Sequence, residues 1–343
     1  MGRGRQRRRT ENRRRRRGRR AGRVLGTAAL AAGLATSAMV ADAAVRTSAG
    51  AASGSSRAWA AEAPKYPVGN LGTAVQNFLT SPDRVAGAND WSCRPSAAHP
   101  YPVVLTHATF VNQGANWAVL SPMLANAGYC VYAFNYGMTQ ISLDRVGGLG
   151  DVAASARVMS AFVDRVLAST GASEVDVVGH SQGGMMPNYY IKRLGGASKV
   201  HTFVAMSPSN HGTTLLGLVN LGKQWNLLGF VNNAFLAVGT PGLVQQEEGS
   251  DFQRALFADG DTVPGPRYVV LQTNRDWVVT PYTNAFLTGP NVTNILVQDQ
   301  CPGDYVSHIG MFNDSPVLQN VMNVLGPDDP GFKPSCTGYG LPA

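Results

Sequence analysis

Charge is sparse in this 343-residue chain: 15% of its residues are Asp, Glu, Lys or Arg, against 44% hydrophobic. That balance supplies a sizeable core and excludes a disordered polyampholyte. Beyond residue 40 no uncharged apolar run reaches the roughly twenty residues that span a bilayer. The four cysteines form no C-x-x-C pair and no histidines keep finger spacing, which removes the common zinc modules. No His and carboxylate cluster has ligand spacing either. Isolated pairs such as Asp328 with Asp329 read as solvated turn charges, so neither a metal nor another cofactor is expected. An internal repeat is also missing, which excludes solenoids and propellers.

The formal charge of +8 is confined to one end, because residues 1–43 hold thirteen Arg against Glu11 and Asp42, leaving the remainder at −3. Nothing downstream suggests a nucleic-acid partner. Arg3 to Arg23 precede an uncharged, Ala-rich stretch from Val24 to Val40 and the small-residue triplet Ala41, Asp42, Ala43. This order predicts a signal peptide over 1–43, secretion by the general or, given Arg19 and Arg20, the twin-arginine route, and an extracellular location. Residues 44–63, rich in Ala, Ser and Gly, read as a flexible linker, and the domain is expected over 64–343. In an oxidising compartment Cys93, Cys130, Cys301 and Cys336 predict two disulfides. Cys93 precedes one expected strand and Cys130 opens another, while Cys301 and Cys336 bracket the C-terminal region. The favoured pairs of the three possible connectivities are Cys93 with Cys130 and Cys301 with Cys336.

Short apolar runs alternate with amphipathic segments. Strands are expected at 101–106, 129–134, 175–178, 200–205, 268–272 and 294–297, and helices at 116–127, 151–169, 183–194 and 317–324. The alternation predicts a mostly parallel α/β sheet with helices on both faces. One segment departs from it: 212–249 has no strand pattern but holds Leu215, Leu216, Val219, Trp225, Leu227, Leu228, Phe230, Val231, Phe235 and Leu236. This helical insertion reads either as a cap or lid over a site or as extra core helices.

Gly179-His180-Ser181-Gln182-Gly183, directly after one expected strand and before a helix, is the nucleophile elbow pattern G-x-S-x-G. With 39 Gly in the chain, chance alone supplies roughly 0.3 such matches, so the strand, the helix and Gly184 carry the specificity. A serine hydroxyl needs a base. Of the six histidines, His308 follows the last expected strand, where this architecture gathers catalytic groups. The others have structural readings: His99, His107, His180, His201 and His211 lie before, at the end of or within strands and turns. Asp276, just beyond the strand at 268–272, fits the chain order Ser, Asp, His for the third member, with Asp299 and Asp304 as rivals. Backbone N–H donors for an oxyanion are expected from Gln182, at the helix start, and Thr109, in the loop after the first strand.

The blocks PYPVVLTHATF, GYCVYAFNYG, VGHSQGGMMPNYYIKRLGG, SPSNHGTT and VVTPYTNAFLTGPNVTNILVQDQCPGD resemble the secreted actinobacterial α/β-hydrolases known as class 2 or triacylglycerol lipases, over about residues 64 to 340. The resemblance implies an α/β-hydrolase fold and lipase or esterase activity, with Ser181, Asp276 and His308 as triad and Thr109 with Gln182 as oxyanion donors. Where that family usually has His-Gly, this chain has His107-Ala108, which puts the shape of the oxyanion loop in question. The expected partner is a lipid or other small-molecule ester, met by a monomer with transient lipid-interface contact. Acyl transfer to an alcohol, polyester or cutin cleavage, and a non-catalytic binding role on the same scaffold are the alternatives.

Overall fold

The computed structural model describes residues 65–214, 218–224 and 227–342; the expected signal peptide and linker lie outside the described residues. Six strands form one parallel sheet: β1 Val103–Thr106, β2 Val131–Phe134, β3 Val175–His180, β4 Val200–Met206, β5 Arg267–Gln272 and β6 Val292–Leu296, in the order β2-β1-β3-β4-β5-β6. β1, β2 and β3 are buried along their whole length. Such strands have apolar neighbours above and below, so they read as continuous runs rather than alternating ones.

Successive residues nevertheless serve different faces. On one, Val104, Tyr132, Val177, Phe203 and Val270 pack against Met159, Val163 and Val166 of helix α3 (Val152–Thr170) and Met185, Met186 and Tyr190 of helix α4 (Gln182–Arg193). On the other, Val103, Leu105, Val178, Val204 and Leu271 meet Leu120 and Leu124 of helix α2 (Leu120–Asn126) and Val317, Leu318 and Val321 of helix α9 (Ser315–Leu325). A fully buried side chain of this size contributes roughly 1.5–3 kcal/mol, so the two layers fix the strand register on both sides. Caps set the helix limits. Asp151 accepts from Ala154 N at 2.7 Å to open α3, and Gly171, at φ +74°, ends it.

Several expected elements shift at their ends: β1 and β2 open at Val103 and Val131 rather than at 101 and 129, and β3 runs on past 178 to His180. The helix at 116–127 is interrupted: a turn spans Gln113–Asn116, and α2 begins only at Leu120. Asn112 caps that turn by accepting from Ala115 N, and the break after it lets Trp117 sink fully into the core. The last strand runs over 292–296 rather than 294–297, because β6 is a half-exposed edge where the polar Thr293 separates Val292 from the apolar run. Helix α1 (Leu71–Thr80) precedes the sheet.

The insertion after β4 is helical, with α5 Leu218–Gln224, α6 Leu228–Ala237 and α7 Pro241–Gln245, followed by α8 Asp251–Phe257. No residue of α6 is buried, and Phe230 is 77% exposed. The reading of this stretch as extra core helices therefore fails for α6.

Candidate active site

The strand order reverses between β1 and β3, and their carboxyl ends open side by side at that switch point. β3 leads into Ser181, which adopts φ 57° and ψ −121° before α4 starts at Gln182. A side chain at Gly179 would put its Cβ 1.9 Å from Gly183 O, and one at Gly183 would lie 2.1 Å from Thr106 O. Only glycine admits so sharp a turn. Thr106 Oγ1 donates to Gly183 O at 2.7 Å, and Ser181 N donates to Met206 O at 2.9 Å, so both neighbouring strands hold the turn.

The loop after β5 supplies Asp276. Its Oδ1 accepts from the backbone N–H groups of Val278 and Val279 at 2.9 and 2.7 Å, while Oδ2 lies 2.8 Å from His308 Nδ1. A carboxylate only accepts, so Nδ1 carries the hydrogen and Nε2 is left with its lone pair. Both groups are buried. Of the three acids weighed from sequence, Asp276 is the one bonded to this imidazole. Asp304 instead accepts from Val306 N at 2.8 Å and meets the carboxyl of Asp314, and Asp299 sits in the turn Val297–Gln300. Burial pushes Asp314 up to about 6.

Residues 338–342 brace the His308 segment. Ser307 N and Oγ donate to Leu341 O at 2.8 and 3.0 Å, Gly340 N donates to Asp314 Oδ1, Ser315 N donates to Gly338 O, and Val306 pairs with Pro342. Disulfide Cys301–Cys336 ties the start of the same stretch to the turn at 297–300, and Cys93–Cys130 joins the loop before β1 to the start of β2.

Thr109 lies in the loop after β1. Ala108 has a negative φ, so alanine is accommodated there, and the left-handed residue is Phe110 at φ 67°. Gly148, at φ +71°, packs on the Thr109 backbone, and its carbonyl accepts from Gln182 Nε2 at 2.9 Å, which joins the Thr109 loop to the start of α4. Among the described residues the backbone N–H groups of Thr109 and Gln182 have no internal acceptor. Unpaired backbone donors in buried surroundings are rare.

Sequence reasoning missed the residues that support this arrangement. Gln246, just past α7, donates to Thr109 Oγ1 at 3.1 Å and to Gly242 O, and accepts from Ser209 Oγ at 3.0 Å. Asn116 Oδ1 accepts from Ala108 N at 2.9 Å. Burial pushes His107 down to about 4; its Nδ1 meets Ala108 O and its ring stacks on Tyr136. Asn116 and Gln246 lie 8 and 137 residues from the loop residues they hold, so local pattern gives no sign of them.

Comparison with known proteins agrees with this architecture. Residues 100–313 match the family model for lipase (class 2). Triacylglycerol lipases of Pseudarthrobacter phenanthrenivorans and Burkholderia plantarii are each 37% identical over 98 residues, 27% of this chain and 28% and 25% of theirs. The chain thus spans about a quarter of the length of those relatives. Among solved structures, Aspergillus fumigatus lipase B aligns with a TM-score of 0.53 at 23% identity, covering 69% of this chain and 57% of that one. The propeptide form of the Bacillus licheniformis lipase BlEst2 aligns with a TM-score of 0.51 at 17% identity, covering 68% and 51%. The sheet order, the elbow and these likenesses make the fold that of an α/β-hydrolase, and with well over half of its length matched the chain belongs to the class 2 lipase family.

Proposed function

We propose that the protein is a secreted serine hydrolase that cleaves carboxylic esters with apolar acyl chains through an acyl-enzyme. The observation that carries this reading is the buried His308–Asp276 pair on the same sheet edge as a serine forced into a left-handed turn. In this reading His308 Nε2 takes the Ser181 hydroxyl proton as Oγ bonds to the ester carbonyl carbon. The carbonyl oxygen becomes an oxyanion facing the Thr109 and Gln182 N–H groups, each such donor contributing about 10²- to 10³-fold in turnover. His308 then returns the proton to the departing alcohol oxygen. Water repeats the sequence on the acyl-enzyme, and the acid leaves. Asp276 holds the imidazole tautomer and stabilises its charged form.

The apolar surface of α6, with Phe230, Val231 and Leu236 exposed, supports lipid or other apolar esters as substrates and transient contact of a monomer with a lipid interface. Export rests on the leader pattern, with cleavage after Ala43, and agrees with two disulfides.

The test uses purified mature protein and p-nitrophenyl esters of rising chain length, beside Ser181→Ala. Turnover should rise with chain length in the first protein and fall by about 10⁴-fold or more in the second. Equal rates in both would refute the serine mechanism. A fluorophosphonate probe should label the wild type and not the variant. With glycerol present, free acid as the sole product counts against acyl transfer.

A further inference from the structure

We infer that His180, the variable residue of the elbow, is a positioning residue whose single imidazole holds the oxyanion loop and the His308 loop in place around the nucleophile. This rests on the catalytic assignment proposed above.

His180 closes β3, is buried, and its ring reaches two other loops. Its Nε2 lies 3.0 Å from the carbonyl oxygen of His308, and its Nδ1 lies 3.2 Å from Asn116 Oδ1. A carbonyl oxygen only accepts, so Nε2 carries the hydrogen. The orientation of Asn116 is fixed independently, because its Oδ1 accepts from Ala108 N at 2.9 Å and a flipped amide would set donor against donor. Asn116 Nδ2 consequently has no partner among the described residues. Burial pushes His180 down to about 3, with the nearby His308 adding to the effect, so the ring is neutral and Nδ1 has a lone pair. On that side the ring acts as a wedge against the amide, while Nε2–H is the anchor.

The two arms end on catalytic geometry. Ala108 immediately precedes Thr109, so displacement of Asn116 displaces the oxyanion donor. The anchored carbonyl belongs to His308 itself, and the two imidazoles lie 5.3 Å apart. No other described side chain both hydrogen-bonds to the His308 backbone and abuts Asn116, which holds the Ala108 loop. Misplacement of such groups by about 1 Å costs on the order of 10²-fold in rate without a matching loss of substrate affinity.

The experiment compares His180→Leu and His180→Gln with wild type and Ser181→Ala on one p-nitrophenyl ester, with thermal unfolding to establish that each is folded. The expected result is a fall in kcat of about 10- to 100-fold for the leucine variant, with KM within about twofold, because ground-state contacts are untouched. Glutamine, which restores a donor toward the His308 carbonyl, should recover most of that loss. Full kcat in the leucine variant, or an equal loss in both variants, overturns the inference. If the leucine variant does not fold, nitrogen-15 spectra of histidine-labelled wild type decide. A proton on Nε2 of His180 supports the anchor, and a neutral ring protonated on Nδ1 overturns it. Activity surviving in Ser181→Ala would instead sink the catalytic reading, whatever His180 does.

Discussion

The backbone turn at Ser181 is held from both sides: Thr106 and Met206 bond to it, and at Gly179 and Gly183 there is no room for a side chain. Some fifty residues later, α6 turns Phe230, Val231 and Leu236 toward solvent, and none of its residues is fully buried. Both stretches are rich in apolar or small residues, yet one is over-determined while the other is anchored by a few polar contacts, such as Asn232 Nδ2 donating to Glu247 at 2.9 Å and Thr240 Oγ1 to Phe235 O. Apolar composition alone does not make a core. A backbone strained at φ 57° persists only where its surroundings leave no alternative, whereas an exposed apolar helix is free to meet a ligand or a surface.

The contrast can be broken or sharpened by substitution. The largest effect belongs to Gly183→Ala: a Cβ 2.1 Å from the Thr106 carbonyl oxygen has nowhere to go, so soluble yield and activity should both collapse, as read by expression and circular dichroism. A well-folded, active variant would show the turn to be less constrained than its geometry. Next, Asp276→Asn should keep the fold and lower kcat by about 10⁴-fold, since the amide no longer fixes the His308 tautomer. Replacing Cys301 and Cys336 by Ser opens a closed loop with a sequence separation of 35 and should cost about 2–4 kcal/mol in denaturant unfolding.

Asp314 gives a pH-dependent test. Its carboxyl, pushed up to about 6, holds its proton more tightly in the folded state than in the unfolded one. Its stabilising contribution is therefore complete in acid and lost as pH rises through about 6. Asparagine cannot titrate. The stability difference between wild type and Asp314→Asn should move against wild type by about 2 to 3 kcal/mol between pH 4 and 7, measured by urea midpoints at each pH. At the small end, Phe230→Ser should change stability by less than about 0.5 kcal/mol, because the side chain is already in water. A larger loss would mean that α6 is packed after all.

How much of this was readable beforehand varied with the range of the forces involved. Buried strands such as β3, expected over 175–178, declare themselves through their apolar residues. The elbow and the positions of Asp276 and His308 follow from strand ends and chain order. β6 was misjudged by two residues because an edge strand can be polar. The break at Trp117 and the supporting residues Asn116 and Gln246 were invisible, since each owes its place to partners remote in the chain. Chain order already favours Asp276 over its rivals Asp299 and Asp304, and three-dimensional placement adds the 2.8 Å contact of Asp276 with His308 Nδ1, whereas Asp304 Oδ1 accepts from Val306 N.

The brace supplied to His308 by residues 338–342 sets an order of events in biosynthesis. A nascent chain presents its elbow well before that brace has been synthesised. The His308 segment therefore gains its supporting hydrogen bonds only once these later residues have emerged and docked.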